Sequence, residues 1–426
     1  MKKNKNAFTL IELLAVIAIL AIILVISIPK ILDVIETSKK DSFKNAAQLI
    51  ADSAEKKYTE NEAFGEENEI TCDSVSKLNK EDYNKCTIIF DENGIAKVSI
   101  LGRGKFKGLK VIEATKTSAE VIKLEAPKYG ITAVEYINEL YEYDGEGLKI
   151  DNTPDQNIRY YGSDPNNYVS FNNELWRIIG VFGDNVKLVR KDSLGELSWD
   201  SSESSVNNGW GVNEWSQSAL KNYLNAMYYG GTSVTCYNGK SKKEVTCPTG
   251  TIEETSKSLI DYHTWNTGAP NFNNLYNSTT KSLDTVEFYK AERGTKNGKI
   301  CTSGTYCNDT VTRTTEWTGY IALPYVTDWA YASSEDDCNT KMDKSSTYKC
   351  KNNNWMQRST IAWYLSPNAR GSDAGFAWYV SGDGYASYGY AAYSYAVAPS
   401  IYLKSNVLIE SGNGTSSNPY ILKAGA

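Results

Sequence analysis

The chain has 426 residues, of which 41% are hydrophobic and 12% aromatic, so it can bury the cores of two or three domains and is not a disordered chain. Its formal net charge of -6 provides no positively charged surface for a phosphate backbone, which argues against nucleic acid as a ligand.

The N-terminus is a basic leader followed by a long apolar run. Three lysines precede an apolar segment from Phe8 to Ile28, which as a helix is roughly 30 Å long and can span a bilayer. The run continues through Pro29 into an amphipathic pattern, unlike a signal peptide, which ends at a small-residue cleavage site. Burying the carboxylate of Glu12 would cost about 2.5 to 3.5 kcal/mol unless a partner neutralises it. We therefore expect a membrane helix over residues 8–28 in which Glu12 is functional.

The stretch "FTLIE" after this leader resembles the type IV prepilin signature. The resemblance implies that a prepilin peptidase removes residues 1–7 by cutting between Ala7 and Phe8, and that the new amino group of Phe8 is methylated. It also implies that Glu12 pairs with that group on a neighbouring pilin subunit, and that Pro29 lies where pilin helices commonly kink. The family usually has Gly where Ala7 stands, so slower cleavage is expected at worst. A plain membrane anchor is the alternative.

Residues 29–126 are predicted to form a small head in which the same helix packs on a sheet. Apolar residues recur at helical spacing after Pro29. They are Ile31, Leu32, Val34, Ile35, Phe43, Ala47, Ile50, Ala54 and Tyr58. Four short β-type runs follow, "CTIIF", "IAKVSIL", "GLKVIEAT" and "AEVIKLE", separated by turn sequences. An antiparallel meander on a long helix is what the pilin resemblance implies.

A composition change marks a second domain over residues 157–426, after a helix and polar linker over residues 127–156. The linker region contains the amphipathic piece "AVEYINELY". The later sequence is rich in Trp, Tyr, Asn, Gly and Ser, and we expect one helix in "EWSQSALKNYLNAMYY". Six strands are predicted in "NYVSF", "ELWRIIGVF", "VKLVRKD", "TGYIALPYV", "GFAWYVS" and "PSIYLKS". The whole chain is therefore expected to be α+β.

Near the C-terminus, "GFAWYVSGDGYASYGYAAYSYAVAPSIYLKSN" alternates tyrosines with very small residues. Tyrosine provides rigid amphipathic contact area and small neighbours let a ligand approach, as in antibody loops. We expect an exposed ligand-binding surface, with the alternative that alternate tyrosines pack inward from a strand. The expected contacts are Trp378, Asp383, Tyr385, Ser387, Tyr388, Tyr390, Tyr393 and Tyr395. Trp176, Trp199, Trp265 and Trp363 are expected to fill the core.

From about Asn157 to Leu422 the chain resembles bacterial surface and phage domains with a C-type-lectin-like fold. It is similar to the variable proteins of diversity-generating retroelements and to the sulfatase-modifying-enzyme fold. The resemblance implies that the tract from Trp378 to Tyr395 is displayed on a mixed α+β domain. The family often has Gly-x-Arg-Pro before the framework strand, whereas here the sequence before Pro399 lacks both the glycine and the arginine.

The eight cysteines lie in four close pairs along the sequence, and local disulfide closure is the simplest pairing. The pairs are Cys72 with Cys86, Cys236 with Cys247, Cys301 with Cys307, and Cys338 with Cys350. Disulfides indicate a compartment outside the cytosol. Buried free thiols are the alternative, and the spacing does not fit zinc.

No feature of the sequence predicts an enzyme or a cofactor. His263 is the only histidine, and no nucleophile elbow, zinc-protease motif or phosphate loop occurs. Calcium needs several oxygen ligands, and the acidic run Glu335, Asp336 and Asp337 is the only local cluster that could begin such a site. We expect a structural histidine and a solvated acidic turn.

These patterns together predict a minor or tip type IV pilin-like adhesin. Its precursor is expected in the bacterial inner or cytoplasmic membrane, and the mature protein in an extracellular filament or at the cell surface. Expected partners are other pilin subunits, prepilin peptidase and an external protein or glycan. The alternative is a structural pilin, or a pseudopilin of a secretion or DNA-uptake machine, without a specific ligand.

The predicted processing is testable in cells that contain a prepilin peptidase. Mass spectrometry of the mature chain should show Phe8, methylated, at the N-terminus. Glu12→Ala should strongly reduce the amount of protein in sheared filaments because the neighbouring amino group loses its charge partner. Glu36→Ala, in the same predicted helix but outside the apolar run, is the control. Another N-terminus, or normal incorporation of Glu12→Ala, would contradict the prediction.

Overall fold

The computed structural model describes residues 10–65, 69–76, 79, 81–294, 314–343, 349–369 and 374–425. The chain forms two compact units. Unit 1 runs to Ala126 and includes Glu142–Gly145, and unit 2 comprises Pro127–Tyr141 and Glu146–Ala426. The predicted leader, Ala7 and Phe8 lie outside the described residues, as do Cys301 and Cys307.

Unit 1 is a long helix packed on a four-stranded antiparallel meander. Its helices are α1 (Leu10–Phe64) and α2 (Cys72–Val75), with a 3₁₀ turn at Gly104–Phe106. Its strands are β1 (Tyr83–Phe90), β2 (Ala96–Gly102), β3 (Leu109–Ala114) and β4 (Val121–Lys123), paired in that order. Helix α1 packs on β2 and β3. The sequence prediction of a helix followed by an antiparallel meander is therefore confirmed.

The C-terminal half of α1 supplies the core of unit 1. Phe43, Ala47, Ile50 and Ala54 recur at helical spacing and are buried against alternate residues of β2 such as Val98. Small alanines let the helix approach the sheet closely, since they add little volume between the two backbones.

The N-terminal half of α1 is apolar but exposed. Among the described residues, this is the one helix that is long and apolar enough to cross a membrane, and none of its most apolar stretch is buried within the protein. The exposed apolar surface continues past Pro29 to Ile35, which is 57% exposed. Pro29 lies inside the helix. The apolar surface is thus longer than the predicted segment that ends at Ile28.

Unit 2 and its connection contain many short elements. The helices are α3 (Ala133–Tyr143), α4 (Ala219–Asn222), α5 (Glu254–Lys257), α6 (Phe272–Leu275), α7 (Thr285–Glu292) and α8 (Val326–Tyr331). A π-helical segment covers Tyr223–Tyr229, and 3₁₀ turns cover Asn207–Gly209, Trp215–Gln217 and Asp336–Asn339.

The first strands of unit 2 are β5 (Leu148–Ile150), β6 (Ile158–Tyr160), β7 (Tyr168–Phe171), β8 (Glu174–Phe182), β9 (Asn185–Arg190), β10 (Glu196–Ser198), β11 (Cys236–Tyr237), β12 (Glu244–Val245) and β13 (His263–Asn266). The next are β14 (Tyr276–Asn277), β15 (Ser282–Asp284), β16 (Glu316–Gly319), β17 (Ile321–Ala322), β18 (Lys341–Asp343) and β19 (Ala362–Pro367). The last are β20 (Phe376–Val380), β21 (Ala386–Tyr390), β22 (Ser394–Ala396), β23 (Ser400–Tyr402), β24 (Val407–Ser411) and β25 (Tyr420–Ala424).

Two larger sheets organise unit 2. One has the order β17-β23-β9-β8-β7-β25-β24, with β6 paired to β8 and β5 paired to β6. The other has the order β10-β22-β19-β20-β21. Trp176, Trp199, Trp265 and Trp363 are fully buried, as predicted. The expected α+β class is confirmed.

Two predicted elements of unit 2 are interrupted. The single helix expected from Glu214 is a 3₁₀ turn followed by α4 and a π-helical segment, because the side chain of Ser218 accepts a bond from the Lys221 amide and starts a new helix. The strand expected in "TGYIALPYV" is short because Pro324 cannot donate to a ladder and α8 begins at Val326.

Three of the predicted disulfides lie within the described residues and are confirmed. They join Cys72 to Cys86, Cys236 to Cys247, and Cys338 to Cys350. Each closes a short local loop.

A cluster of buried ion pairs crosses the interior of unit 2. Arg159 bonds to Asp151 at 2.7 Å and to Asp328 at 2.6 Å, and Lys187 bonds to the other oxygen of Asp328 at 2.6 Å. All four side chains are at most 1% exposed. Burial lowers the pKa of Lys187 to about 8. Removing one partner would leave a buried charge uncompensated, so these pairs fix the positions of β9 and α8.

Glu292 extends this charged interior and links stability to pH. Its carboxylate accepts bonds from the Thr327 hydroxyl and amide and pairs with Arg293 at 3.1 Å. Burial raises its pKa from the ordinary value of 4.5 to about 7. The folded chain therefore holds the proton of this carboxyl more tightly than the unfolded chain does. The contribution of this group to the free energy of unfolding is full below pH 4.5 and is lost as the pH rises through 7.

Glu292→Gln should remove this pH dependence. Urea unfolding of the full chain in nonionic detergent, followed by tryptophan fluorescence, should show the stability of the variant rising relative to wild type between pH 5 and 8, by up to about 3 kcal/mol. Glu287→Gln changes an exposed carboxylate on the same helix and is the control. A difference between Glu292→Gln and wild type that does not vary with pH would refute the assignment.

Candidate ligand-binding surface

The tyrosine tract lies on a hairpin within the five-stranded sheet. Strand β20 turns at Gly382–Gly384 into β21, and the register pairs Trp378 with Tyr388 and Tyr379 with Ser387. Because successive residues of a strand point to opposite faces, the hairpin divides the tract into two sets.

The inner face of the hairpin packs against the rest of unit 2. Trp378 is fully buried, its indole N–H donates to the Pro270 carbonyl at 3.1 Å, and its ring meets Phe288 edge-on at 4.7 Å. The prediction that Trp378 contacts a ligand is therefore wrong, since its alternating position directs the ring into the core. Tyr388 lies on this face, 5.3 Å from the ring of Phe272.

Tyr390 also lies on the inner face, but at its edge. Its ring stacks between Phe376 and Trp210, with centroids 4.3 Å from each. Trp210 is half-buried, and the Lys240 ammonium lies 4.7 Å from its ring centre. Tyr393 meets the edge of Trp210 at 5.8 Å and thereby joins the two faces.

The outer face carries what we call the tyrosine surface, which consists of Tyr379, Tyr385, Ser387, Tyr393 and Tyr395. All five are at least partly exposed, and Tyr393 is 40% exposed. Tyr388 and Tyr390 are also partly exposed although they lie on the inner face, so ligand contact by these two tyrosines stays a prediction. The rings of Tyr379 and Tyr395 meet edge-on at 5.1 Å, and Tyr393 lies 5.9 Å from Tyr395. Four of these residues were predicted contacts, whereas Tyr379 was not.

Gly389 forms the floor beneath three of these rings. A Cβ atom placed on it would lie 3.1 Å from Cδ2 of Tyr393, 3.3 Å from Cε1 of Tyr379 and 3.3 Å from the hydroxyl of Tyr395. A Cβ atom at this position would be in tight contact with all three side chains, which would have to shift by a few tenths of an ångström to admit it. Glycine at position 389 thus leaves room for the close ring arrangement.

Two phenols of the tyrosine surface, those of Tyr379 and Tyr395, are uncharged at neutral pH. Burial raises the pKa of Tyr379 and of Tyr395, and the neighbouring phenols add to the effect. Both groups therefore remain protonated and can donate as well as accept hydrogen bonds. Asp383 is exposed in the hairpin turn, where its amide bonds to the Ser381 hydroxyl at 3.2 Å. The surface is aromatic with a carboxylate at one end.

The other sequence-predicted residues lie apart from this surface. Glu12 is in the first turn of α1 and Pro29 is within the same helix, both exposed. His263 stacks on Tyr402 at 3.7 Å and its Nδ1 forms a hydrogen bond with the Asp261 carboxylate at 2.9 Å, while burial lowers the pKa of the imidazole. These contacts fit a structural histidine.

The acidic run begins a 3₁₀ turn beside Cys338, and Asp337 pairs with Lys349 at 3.0 Å. Over the described ranges, no three side chains among His, Cys, Asp and Glu are grouped as metal ligands would be. Whether calcium takes part in ligand binding stays a prediction.

Comparison with known proteins gives one match, at the N-terminus. Residues 2–28 match the family model of the prokaryotic N-terminal methylation motif. The comparisons with curated proteins and with solved structures gave no significant match. The motif supports a type IV prepilin-like protein.

The motif and the apolar helix together fit a membrane-anchored precursor that becomes part of a surface filament, with other pilin subunits and prepilin peptidase as partners. The match does not extend into unit 2, and the comparisons give no support to the lectin-like resemblance.

The two faces of the hairpin should differ in their effect on stability. Trp378→Ala should lower the free energy of unfolding by about 3 to 5 kcal/mol because it empties a fully buried site. Tyr393→Ser should change it by about 1 kcal/mol or less because its ring is partly solvated. Urea unfolding of the full chain in nonionic detergent measures both. Equal losses would contradict the division into faces.

Proposed function

We propose that this chain is a minor or tip type IV pilin-like adhesin, which displays unit 2 at the cell surface and binds an external protein or glycan through the tyrosine surface. The observation that carries the proposal is the meeting of Tyr379, Tyr393 and Tyr395 above Gly389 on a partly exposed sheet face. The prepilin motif supports the route to the surface.

The chemistry of these residues suits recognition. Each tyrosine offers a flat apolar ring and a neutral hydroxyl, and only two torsions must be fixed when a ligand binds. The surrounding strands hold the rings in place before binding, which lowers the entropic cost of association. A ligand with apolar faces and hydroxyl or amide groups would complement this surface.

The size of unit 2 favours a minor or tip position. Unit 2 contains most of the chain, and a helical filament repeats the same interface at every subunit. A domain of this size on each subunit would be crowded, whereas at the tip it has free access to a target. Quantitative mass spectrometry of sheared filaments should accordingly find this chain at a small fraction of the major subunit.

Binding of the full-length protein in nonionic detergent to glycan arrays and to host or bacterial cells tests the proposal. The double variant Tyr385→Ser with Tyr393→Ser should bind at least tenfold more weakly, since aromatic contacts at the centre of an interface often contribute 2 kcal/mol or more. Tyr262→Ser is the matched control because Tyr262 is 59% exposed and lies outside the tyrosine surface.

Each arm is repeated with a calcium chelator, which decides whether calcium contributes to binding. Adhesion that is lost in the double variant but kept in the control supports the adhesin. If the wild type binds nothing, or the double variant binds as well as wild type, a structural pilin or pseudopilin without a specific ligand is the better account.

A further inference from the structure

A cavity of about 390 Å³ lies in unit 2, within the size range of small-molecule pockets. The loop after β9, which includes Lys191 and Asp192, lines one side. The segment before β19, which includes Arg358 and Thr360, lines another. Trp363 also borders the cavity and packs against Tyr395 at 4.5 Å, so the cavity neighbours the tyrosine surface.

Two of the cationic residues that line the cavity are neutralised by the protein. Arg177 donates to Asp164 at 3.0 Å and lies over the ring of Tyr168 at 4.0 Å. Arg190 makes two bonds to the carboxylate of Glu174, at 2.7 and 3.1 Å. The Arg190 pair is bidentate and the Arg177 pair is a single bond, so each of these two charges already has a carboxylate partner.

Of the other two cationic residues, Lys191 has a carboxylate neighbour and Arg358, within the described part of the chain, does not. Lys191 lies 3.9 Å from Asp192, and both are exposed. Over the described residues, Arg358 has no carboxylate at salt-bridge distance. Its guanidinium instead donates to the carbonyls of Lys191 and Arg190 at 2.8 and 2.9 Å. The four cationic residues that line the cavity thus have three carboxylate partners, Asp164, Glu174 and Asp192, which leaves one positive charge.

Arg358 is held in a fixed orientation by these two carbonyls. A guanidinium has five N–H groups, and three are not used by these bonds. Arg358 is partly buried, which disfavours its charged form and lowers its pKa, so a bound anion would stabilise the charged guanidinium. The rim supplies hydroxyls from Ser359 and Thr360, and the wall supplies the apolar side chain of Met356.

We propose that this cavity binds one acidic monosaccharide residue, with its carboxylate on Arg358 and its hydroxyls toward the rim. The single surplus charge suits a monoanion better than a phosphate, and a planar carboxylate matches the fork of a guanidinium. Hydroxyl-bearing side chains around the carboxylate site suit a sugar better than an amino acid. The proposal stands independently of the tyrosine surface.

The test is calorimetric titration of the full-length protein in nonionic detergent. The probes are glucuronate and N-acetylneuraminate, with glucose, N-acetylglycine and inorganic phosphate for comparison. At least one acidic sugar should bind, more tightly than all three comparison compounds, and binding should weaken as salt is raised. The proposal would be overturned if neither acidic sugar binds, or if phosphate or N-acetylglycine binds more tightly than both acidic sugars.

Variants locate the site. Arg358→Gln keeps amide donors for the two carbonyls but removes the charge, and should weaken binding at least tenfold. Thr360→Trp fills the rim without changing any charge and should also abolish binding, which keeps the test decisive if Arg358→Gln does not fold. Tyr393→Ser should bind the acidic sugar as tightly as wild type does, because Tyr393 does not line the cavity. Loss of cell adhesion in this variant would therefore concern the tyrosine surface alone and leave the cavity proposal intact. Unchanged binding by folded Arg358→Gln, or by Thr360→Trp, places the sugar elsewhere and refutes the assignment.

Discussion

The register between β20 and β21 is the constraint on which the candidate surface depends. Pairing Trp378 with Tyr388 directs one set of aromatic rings into unit 2 and leaves the neighbouring set on the outer face. A slip of β20 by one residue relative to β21 would move Trp378 to the outer face and Tyr379 to the inner face. The inner set anchors the hairpin, since Trp378 is fully buried and bonded to a backbone carbonyl. The anchored hairpin therefore holds the outer rings in place, and these rings need not be buried themselves.

Much of this arrangement was predictable from the sequence, and the remainder required long-range information. Dense tyrosines with glycine and alanine predicted a tyrosine-rich surface, but residue composition does not specify a strand register. The turn sequence "SGDG" between two alternating runs was the local signal that could have placed Trp378 inside and Tyr379 outside. Trp210 could not have been found, because a loop distant in sequence brings it to Tyr390. The ion pairs of Arg159, Lys187 and Asp328 likewise join residues far apart in the chain.

Helix α1 shows why sequence periodicity was a reliable guide to unit 1. Phe43, Ala47 and Ile50 repeat at helical spacing and are buried on one side, so local pattern and tertiary packing agree. In the N-terminal half the helix is apolar on all sides and exposed along its length, as expected of a segment whose partners are lipid or other subunits. The same helix thus serves two environments, and the prepilin motif at its start fits this division.

The proposed binding through the tyrosine surface makes Tyr393, the most exposed of its rings, the first residue expected to meet the target, whereas Tyr388 packs near Phe272 on the inner face. Nitration of tyrosines in the full-length protein, read by mass spectrometry before and after adhesion to a target cell, tests this at the level of single residues. We expect Tyr393 to be modified in the free protein and protected in the adhered protein, while Tyr388 reacts less in the free protein and changes little on adhesion. Equal modification of Tyr393 in both states would contradict it.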